Sequence, residues 1–446
     1  MTATTPPLNE LTAREASELF TQGLANSSAL TRDCLERVTK REPTVKAWAH
    51  LSPELALSQA KAKDAEYALS PLHGIPIGIK DVIDTHDQPT QMGSSIFDDH
   101  QPRSDASIVA LLRSAGAVIF GKTVTAEFAG MAPTITTNPH HPGHTPGGSS
   151  SGSGAAVADG MVPIAFGTQT GGSVLRPASY CGVFGFKPSH GHINRAGLKF
   201  AAESIDTLGW MARSLDDIAM VYGVLTKGST SPLQARKPVR IGLCQTFMWD
   251  KALNESREAL ALAASSLQHA GVEIEHVKLP KEFCELSLAR QHINDYERVH
   301  ALAHEWAHHA SQISVELSAS LQRGQALSQT EYLSALRLVE RSRTQMDSWM
   351  SGFDAILTPC VNGEAPLGLS YAGDPSFQAL WTLLHVPTIG LPTHLGPHGL
   401  PVSVQLVGPR HSDTRLLQHA LAVWNMVKPG LLSAPLAGPR QNQRAL

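Results

Sequence analysis

Lys80 is the first residue along the chain whose surroundings suggest chemistry. It ends the run Gly74-Ile75-Pro76-Ile77-Gly78-Ile79-Lys80-Asp81, set among apolar residues. Burial disfavours an ammonium, so a lysine held there could be neutral near pH 7 and accept a proton. The plainer alternative is a buried lysine paired with Asp81 or Asp84. A second feature is Gly147-Gly148-Ser149-Ser150-Ser151-Gly152. Its glycines let the backbone come close to a ligand, and at the opening of a helix it would offer free N–H groups; alone it reads equally as a phosphate loop or a linker. The third is Gly167-Thr168-Gln169-Thr170-Gly171-Gly172-Ser173. A strand that breaks into Gly-Gly-Ser can aim several main-chain N–H groups at one point beside a serine hydroxyl, the arrangement acyl transfer needs. The P-loop pattern G-x-x-x-x-G-K-[ST] is absent here, and no G-x-S-x-G elbow surrounds Ser173.

The elements that would carry these groups follow from the surrounding pattern. Ser70–Lys80 reads as a short β-rich run at the floor of a pocket. Residues 11–40 read as helical, opened by capping-box spacing at Thr12 and Glu15. Ser104 or Asp105 can cap a helix with the apolar stripe Ile108, Leu111, Leu112 and Ala115; Gly116 ends it and Ala117–Phe120 follows as a buried strand. The tract 134–154 is rich in Gly, Ser and Pro and almost free of large apolar residues. It runs straight into Ala155–Ala158 and the strand-like Val162–Phe166, which predicts an ordered functional loop. Residues 253–350 read mostly as helices, and FDAILTP and LPVSVQLVG as later strands. No repeat of fixed period is present, and one α/β domain with a helical outer segment is the simplest account.

With Lys80 in GIPIGIKD, a Gly-Gly-Ser-Ser loop, and Ser149 and Ser173 set 24 positions apart, the chain resembles the amidase signature family. The likeness continues through DASIVALLRSAGAVIFGKTVTAEF, YCGVFGFKPSHG, AILTPCVNGEAP and GLPVSVQLVG, in the family's order. It implies an α/β fold with a large mixed sheet covered by helices on both faces. It also implies a single amidase domain over 1–446, with a signature core at about 70–215 and a helical substrate-side segment at about 250–350. By the same resemblance, Ser173 is the nucleophile, Ser149, after a cis peptide bond, relays a proton, and neutral Lys80 is the base. The main-chain N–H groups of Thr170, Gly171, Gly172 and Ser173 would hold the oxyanion. Gly130, Met131, Gln169, Trp381 and His385 are implied to line the substrate pocket, with an apolar lining favouring aryl amides, anilides or carbamates over charged substrates. No cofactor or metal is implied. The chain departs from the family pattern at Gln169, where an Asp is usual, and at Leu175, where an Arg is usual, with Arg176 one place later.

One competing motif is His304-Glu305-Trp306-Ala307-His308, which matches the zinc-hydrolase pattern H-E-x-x-H. The extended form fails at Ser311 and Ser314; Glu331 could be a third ligand on distance alone. In a chain with 21 histidines, an exposed helix face is the simpler reading, and His140, His141 and His144 read as loop or pocket rim. The net charge of −3 gives no global attraction to nucleic acid or an anionic membrane. Five scattered cysteines without a C-x-x-C pair favour free thiols in a reducing compartment. The N-terminal run lacks a secretory pattern, and no stretch nears the roughly 18 apolar residues of a membrane span. A charged share of 17%, below the roughly 25% of soluble chains, suits a large buried core. The expectation is therefore a cytoplasmic monomer or homodimer acting on a small-molecule amide or carbamate. The rival readings are a subunit of a glutamine-dependent aminoacyl-tRNA amidotransferase, a zinc hydrolase using His304, Glu305 and His308, and a non-catalytic binding protein of the same fold.

Overall fold

A computed structural model describes residues 7–427. The expected domain of 1–446 extends past them at both ends, and so do the first residues of the run read as lacking a secretory signal. The described residues contain eleven strands: β1 (Trp48–His50), β2 (Pro76–Lys80), β3 (Val118–Thr123), β4 (Ile164–Gln169), β5 (Phe184–Lys187), β6 (Thr207–Ala212), β7 (Arg240–Cys244), β8 (Glu273–Val277), β9 (Ala355–Pro359), β10 (Thr388–Leu395) and β11 (Pro401–Val407). They form one sheet in the order β1-β3-β2-β4-β6-β5-β10-β11-β9-β7-β8. β3, β2 and β4 pair in parallel, as do β9, β7 and β8, and the strands between these groups are antiparallel. Every residue of β2, β3, β4, β6, β9 and β11 is buried. A strand with no exposed face needs cover on both sides, and helices supply it, as expected.

β2 and β4 are parallel with Ile77 opposite Ile164 and Ile79 opposite Phe166. Their C-terminal ends therefore lie side by side, so Lys80 and Thr168 emerge at the same edge. Ligand crevices in α/β sheets form at this carboxyl end. The Gly-rich tract 134–154 is not a loose linker. Asn138 Nδ2 donates to the Tyr180 carbonyl at 2.9 Å, Thr136 Oγ1 to the Lys46 carbonyl at 2.8 Å, and the Thr145 N–H to the Pro366 carbonyl at 3.1 Å. The tract then enters the helix Ser151–Ala158, whose residues are all buried.

Three local expectations change. The helical run 11–40 is two helices, Ala13–Thr21 and Ser27–Val45, separated by a turn in which Gly23 has φ 69°; the Thr12–Glu15 capping box does form. The helix Ser107–Ser114 begins after Ala106 with no side-chain cap, because the Asp105 carboxylate is taken by the His86 N–H and by Arg113. The segment 253–350 holds long helices but also β8, which pairs in parallel with β7. The main core runs along the sheet. A smaller one gathers Phe283, Leu286, Ile293, Val339, Met346 and Trp381 beneath the helices Leu286–Ala301 and Gln329–Met350.

Candidate active site

Lys80 is fully buried at the end of β2. Its Nζ is hydrogen-bonded to Ser149 Oγ at 2.7 Å and to Thr168 Oγ1 at 2.8 Å. The pairing with Asp81 does not occur: that carboxylate lies 3.2 Å from Lys122 Nζ on β3. With no carboxylate in ion-pair contact among the described residues, burial dominates. It lowers the Lys80 pKa to about 7, opposed only by the negative charge of Asp206.

Ser149 and Ser173 come from different loops that pack together. Gly147 and Gly148 turn the chain into the helix Ser151–Ala158 with φ of 84° and 65°. A Cβ on Gly148 would stand 3.2 Å from Ser173 Cα, so the residue before Ser149 is in van der Waals contact with the nucleophile loop. The peptide bonds of the described residues are all trans. The expected cis bond ahead of Ser149 is therefore absent, and the two left-handed glycines make the turn instead. Next door, Ser150 Oγ receives the Thr168 N–H at 3.4 Å and would be 2.7 Å from a Cβ on Gly167, which locks the two loops in register. Ser173 is 8% exposed, and its hydroxyl has no hydrogen-bond partner among the described residues.

Gln169 organises the nucleophile loop from behind. Its Oε1 accepts the N–H groups of Val174 at 2.9 Å and Leu175 at 3.0 Å, and its Nε2 donates to Thr382 Oγ1 at 3.0 Å. Thr382 Oγ1 in turn donates to the Gly171 carbonyl at 2.8 Å. The N–H groups of residues 170–173 take no part in this network. The Thr170 hydroxyl is bonded to Asp206, whose other oxygen accepts the Ala201 and Ala202 N–H groups. Asp206 and Thr168 were not singled out from sequence; nothing local marks Asp206, since β6 begins only after it.

The expected pocket residues separate. Gln169 is fully buried with its amide engaged in protein, and Trp381 is fully buried in the smaller core. His385 is stacked on His190 with ring centroids 3.8 Å apart and bonded through Nε2 to Arg343 Nη2 at 2.7 Å; burial and that guanidinium drive its pKa down to about 2. Met131 is exposed and Gly130 buried, and a Cβ on Gly130 would lie 3.9 Å from Arg298 Nη1. The helix Leu286–Ala301 carries Arg290, Asn294 and Arg298 on one face, four residues apart. That spacing was readable in the sequence and was missed.

The rival metal motif falls on the helix Ala303–His309. Glu305 is buried and ion-paired with Lys199 at 2.6 Å, so its carboxylate is not free to act as a base. Glu331 caps the helix Gln329–Met350, and His140 and His144 bond to the carbonyls of Cys181 and Ala365. Among the described residues, one group of possible ligands lies close together: His86, Asp87 and Asp105. Both carboxylates there are bound to Arg113.

A sheet of this order, with Lys80 joined to the Gly-Gly-Ser-Ser loop beside a Thr-Gly-Gly-Ser loop, places the molecule in the amidase signature class. The sequence model of the family described as Amidase matches residues 29–417, and the chain belongs to that family. It is 33% identical to a glutamyl-tRNA(Gln) amidotransferase subunit of Rhodopirellula baltica, over 90% of this chain and 94% of the relative. It is 38% identical to the corresponding subunit of Chloroflexus aggregans over 298 residues; that match spans 61% of this chain and 61% of the Chloroflexus protein's length. A solved structure described as an amidase superposes with a TM-score of 0.86 at 29% identity, covering 94% of this chain and all of the other. The curated relatives are named as subunits, which stands against the expected monomer or homodimer. No described helix is long and apolar enough to cross a membrane.

Proposed function

We propose that the protein hydrolyses the carbon–nitrogen bond of a small non-peptide amide through an acyl-enzyme on Ser173. The observation that carries this reading is Lys80, without a carboxylate partner among the described residues and hydrogen-bonded to Ser149 with its pKa lowered to about 7. The Ser173 oxygen bonds to the amide carbonyl carbon while its proton passes through Ser149 to the neutral Lys80 amine. The free N–H groups at 170–173 stabilise the oxyanion. When the C–N bond breaks, the proton held on Lys80 returns through Ser149 to the departing nitrogen, leaving a Ser173 ester and a free amine. Water, deprotonated by the same route, then adds to the ester and releases the acid, so one water is consumed per turnover. No metal or organic cofactor takes part.

The test is a panel of p-nitroanilides, aryl carbamates and primary amides, with Ser173→Ala and Lys80→Ala assayed beside the parent. Turnover that is lost in both variants and indifferent to a chelator supports the proposal. Turnover that survives both substitutions and stops with a chelator points to a zinc hydrolase, and silence both across the panel and on glutamine in a hetero-oligomer to a binding protein.

A second reading is favoured by the curated relatives: the same chemistry within a glutamine-dependent amidotransferase, with this chain as one subunit. The two separate on what the isolated chain does. Turnover of the panel by the chain alone supports the first; ammonia release from glutamine that appears only in a hetero-oligomer supports the second.

A further inference from the structure

The two histidines of the H-E-x-x-H run take no part in the chemistry proposed above, and the structure gathers a third beside them. His304 and His308 lie one turn apart on the helix Ala303–His309, both exposed. Side chains four residues apart stand on one face of a helix, and these two ring centroids are 4.9 Å apart with planes tilted by 46°. Two imidazoles bound to one tetrahedral zinc through bonds of about 2.0–2.1 Å have their centroids about 5 Å apart. The pair therefore has the spacing that chelation needs.

Helical periodicity alone would keep His309 away from this pair. In a continuous helix it would stand about 140° round the axis from His304. The helix stops at this residue instead: its φ is −134° and its ψ 24°, and the tighter turn Ala310–Gln312 follows. That break brings the His309 ring to 5.8 Å from His304. Gln312 Nε2 meets His309 Nδ1 at 3.3 Å. With the amide turned over, its oxygen would accept Nδ1–H, the outer contact that metal-bound imidazoles ordinarily make, and leave Nε2 free. Glu305 points the other way, buried against Lys199 at 2.6 Å, so the motif's own carboxylate does not face the rings. Three imidazoles suit zinc, nickel or copper, whereas magnesium and calcium take oxygen ligands. Among the described residues, the group whose ligand atoms already converge is His86, Asp87 and Asp105. Closure here asks only that exposed rings rotate, and such rotamers interchange within nanoseconds.

We propose that His304, His308 and His309 form a non-catalytic site for a divalent transition-metal ion of the zinc, nickel and copper group, with water completing the coordination. The site goes beyond the hydrolase reading and does not depend on it. Its effect is to brace one helix end from both sides. On the inner side Glu305 holds Lys199, whose Nζ stands 6.0 Å from the ring centroids of Phe97 and Phe128. On the outer side the ion would tie the last turn of a seven-residue helix, a length that is not stable alone. An ion that binds the folded chain in preference to the unfolded one stabilises it.

The experiment is a zinc titration of the metal-free chain, read by calorimetry and by melting, with magnesium as the control ion. In a chain with 21 histidines the variants decide. The parent is compared with His304→Gln/His308→Gln, with His309→Gln, and with His192→Gln/His411→Gln, which removes another exposed histidine pair, joined at 2.8 Å. The parent and the His192→Gln/His411→Gln double should bind one zinc with the same affinity. The His304→Gln/His308→Gln double should bind it at least about 10–100-fold more weakly, the cost of disturbing even an outer partner of a metal, and His309→Gln should fall between. At a hundredfold excess over its Kd, zinc should raise the parent Tm by about 3 °C, and magnesium should leave it unchanged. Copper(II) on the parent should show imidazole-nitrogen couplings by EPR that the His304→Gln/His308→Gln double lacks. Zinc affinity and Tm rise that persist in that double, or that vanish instead with His192→Gln/His411→Gln, overturn the site; unchanged affinity in His309→Gln overturns its third ligand. Parent turnover should be the same with zinc and with EDTA, and turnover that follows zinc occupancy overturns the non-catalytic assignment. Binding is read without substrate, so the site stands or falls separately from the chemistry at Ser173.

Discussion

Replacing Lys80 with Met should make the protein inactive and, at neutral pH, more stable. The lysine is buried with its pKa lowered from 10.5 to about 7, so the folded state resists protonation that the unfolded chain accepts. The sign follows from linkage: between the two pKa values the unfolded state binds more protons, and stability rises with pH across that window. At about 1.36 kcal/mol per pKa unit, keeping this lysine neutral costs roughly 4 kcal/mol at pH 7 and about 2 kcal/mol at pH 9. Methionine removes that cost but strips one hydrogen bond each from Ser149 and Thr168, at about 1 kcal/mol apiece. The net expectation is about 2 kcal/mol of stabilisation at pH 7, shrinking to near zero at pH 9. Scaling the average unfolding entropy to a chain of 446 residues gives a Tm shift of about 2 °C. Paired thermal melts of parent and variant at the two pH values measure it, with activity assayed in parallel; loss of the general base should lower kcat by about 10²–10⁴. A Tm difference that is the same at pH 7 and pH 9 would refute the claim that Lys80 sheds its proton in this range, whatever the activity shows.

Asp206→Asn removes the negative charge that holds the Lys80 pKa up, so the rising limb of the pH–kcat/KM profile should move to lower pH; a limb that stays or moves up refutes Lys80 as the titrating base. Gln169→Leu leaves the buried N–H groups of Val174 and Leu175 without their acceptor. At about 1–3 kcal/mol each, Tm should fall by several degrees and kcat should drop as the nucleophile loop loosens. His308→Ala should leave both turnover and chelator response as in the parent, since Glu305 beside it is engaged by Lys199; a loss of activity would reopen the zinc reading.

Much of this arrangement was legible because it is local. The buried strand ending at Lys80, the two Gly-rich serine loops and the capping box at Thr12 and Glu15 each depend on residues within a few positions of one another, which is what motif spacing records. What failed depends on distant contacts. Nothing near residue 169 says that its amide will reach Thr382, or near residue 381 that Trp381 will join the smaller core. Asp81 pairs with Lys122 and not with its neighbour Lys80 because adjacent strands, not adjacent residues, meet in the interior. The cis bond was carried over from a resemblance, while two consecutive left-handed glycines perform the turn in this chain. The helix face of Arg290, Asn294 and Arg298 was readable by periodicity, but a charged stripe at that spacing ordinarily faces water.

The two departures from the family pattern are explained by one physical change. A carboxylate at 169 could accept the Val174 and Leu175 N–H groups as Gln169 does, but it would bring a negative charge into the loop and invite an arginine to neutralise it. The amide does the same work without charge, and its NH₂ group gains Thr382, which in turn holds the Gly171 carbonyl. Position 175 then needs no cation, and Leu175 is fully buried there. The arginine one residue later lies between Gly147 and Gly373, with no hydrogen-bond partner for its Nε and Nη1 among the described residues. A neutral loop anchor and an apolar residue at 175 are therefore one adjustment seen from two positions.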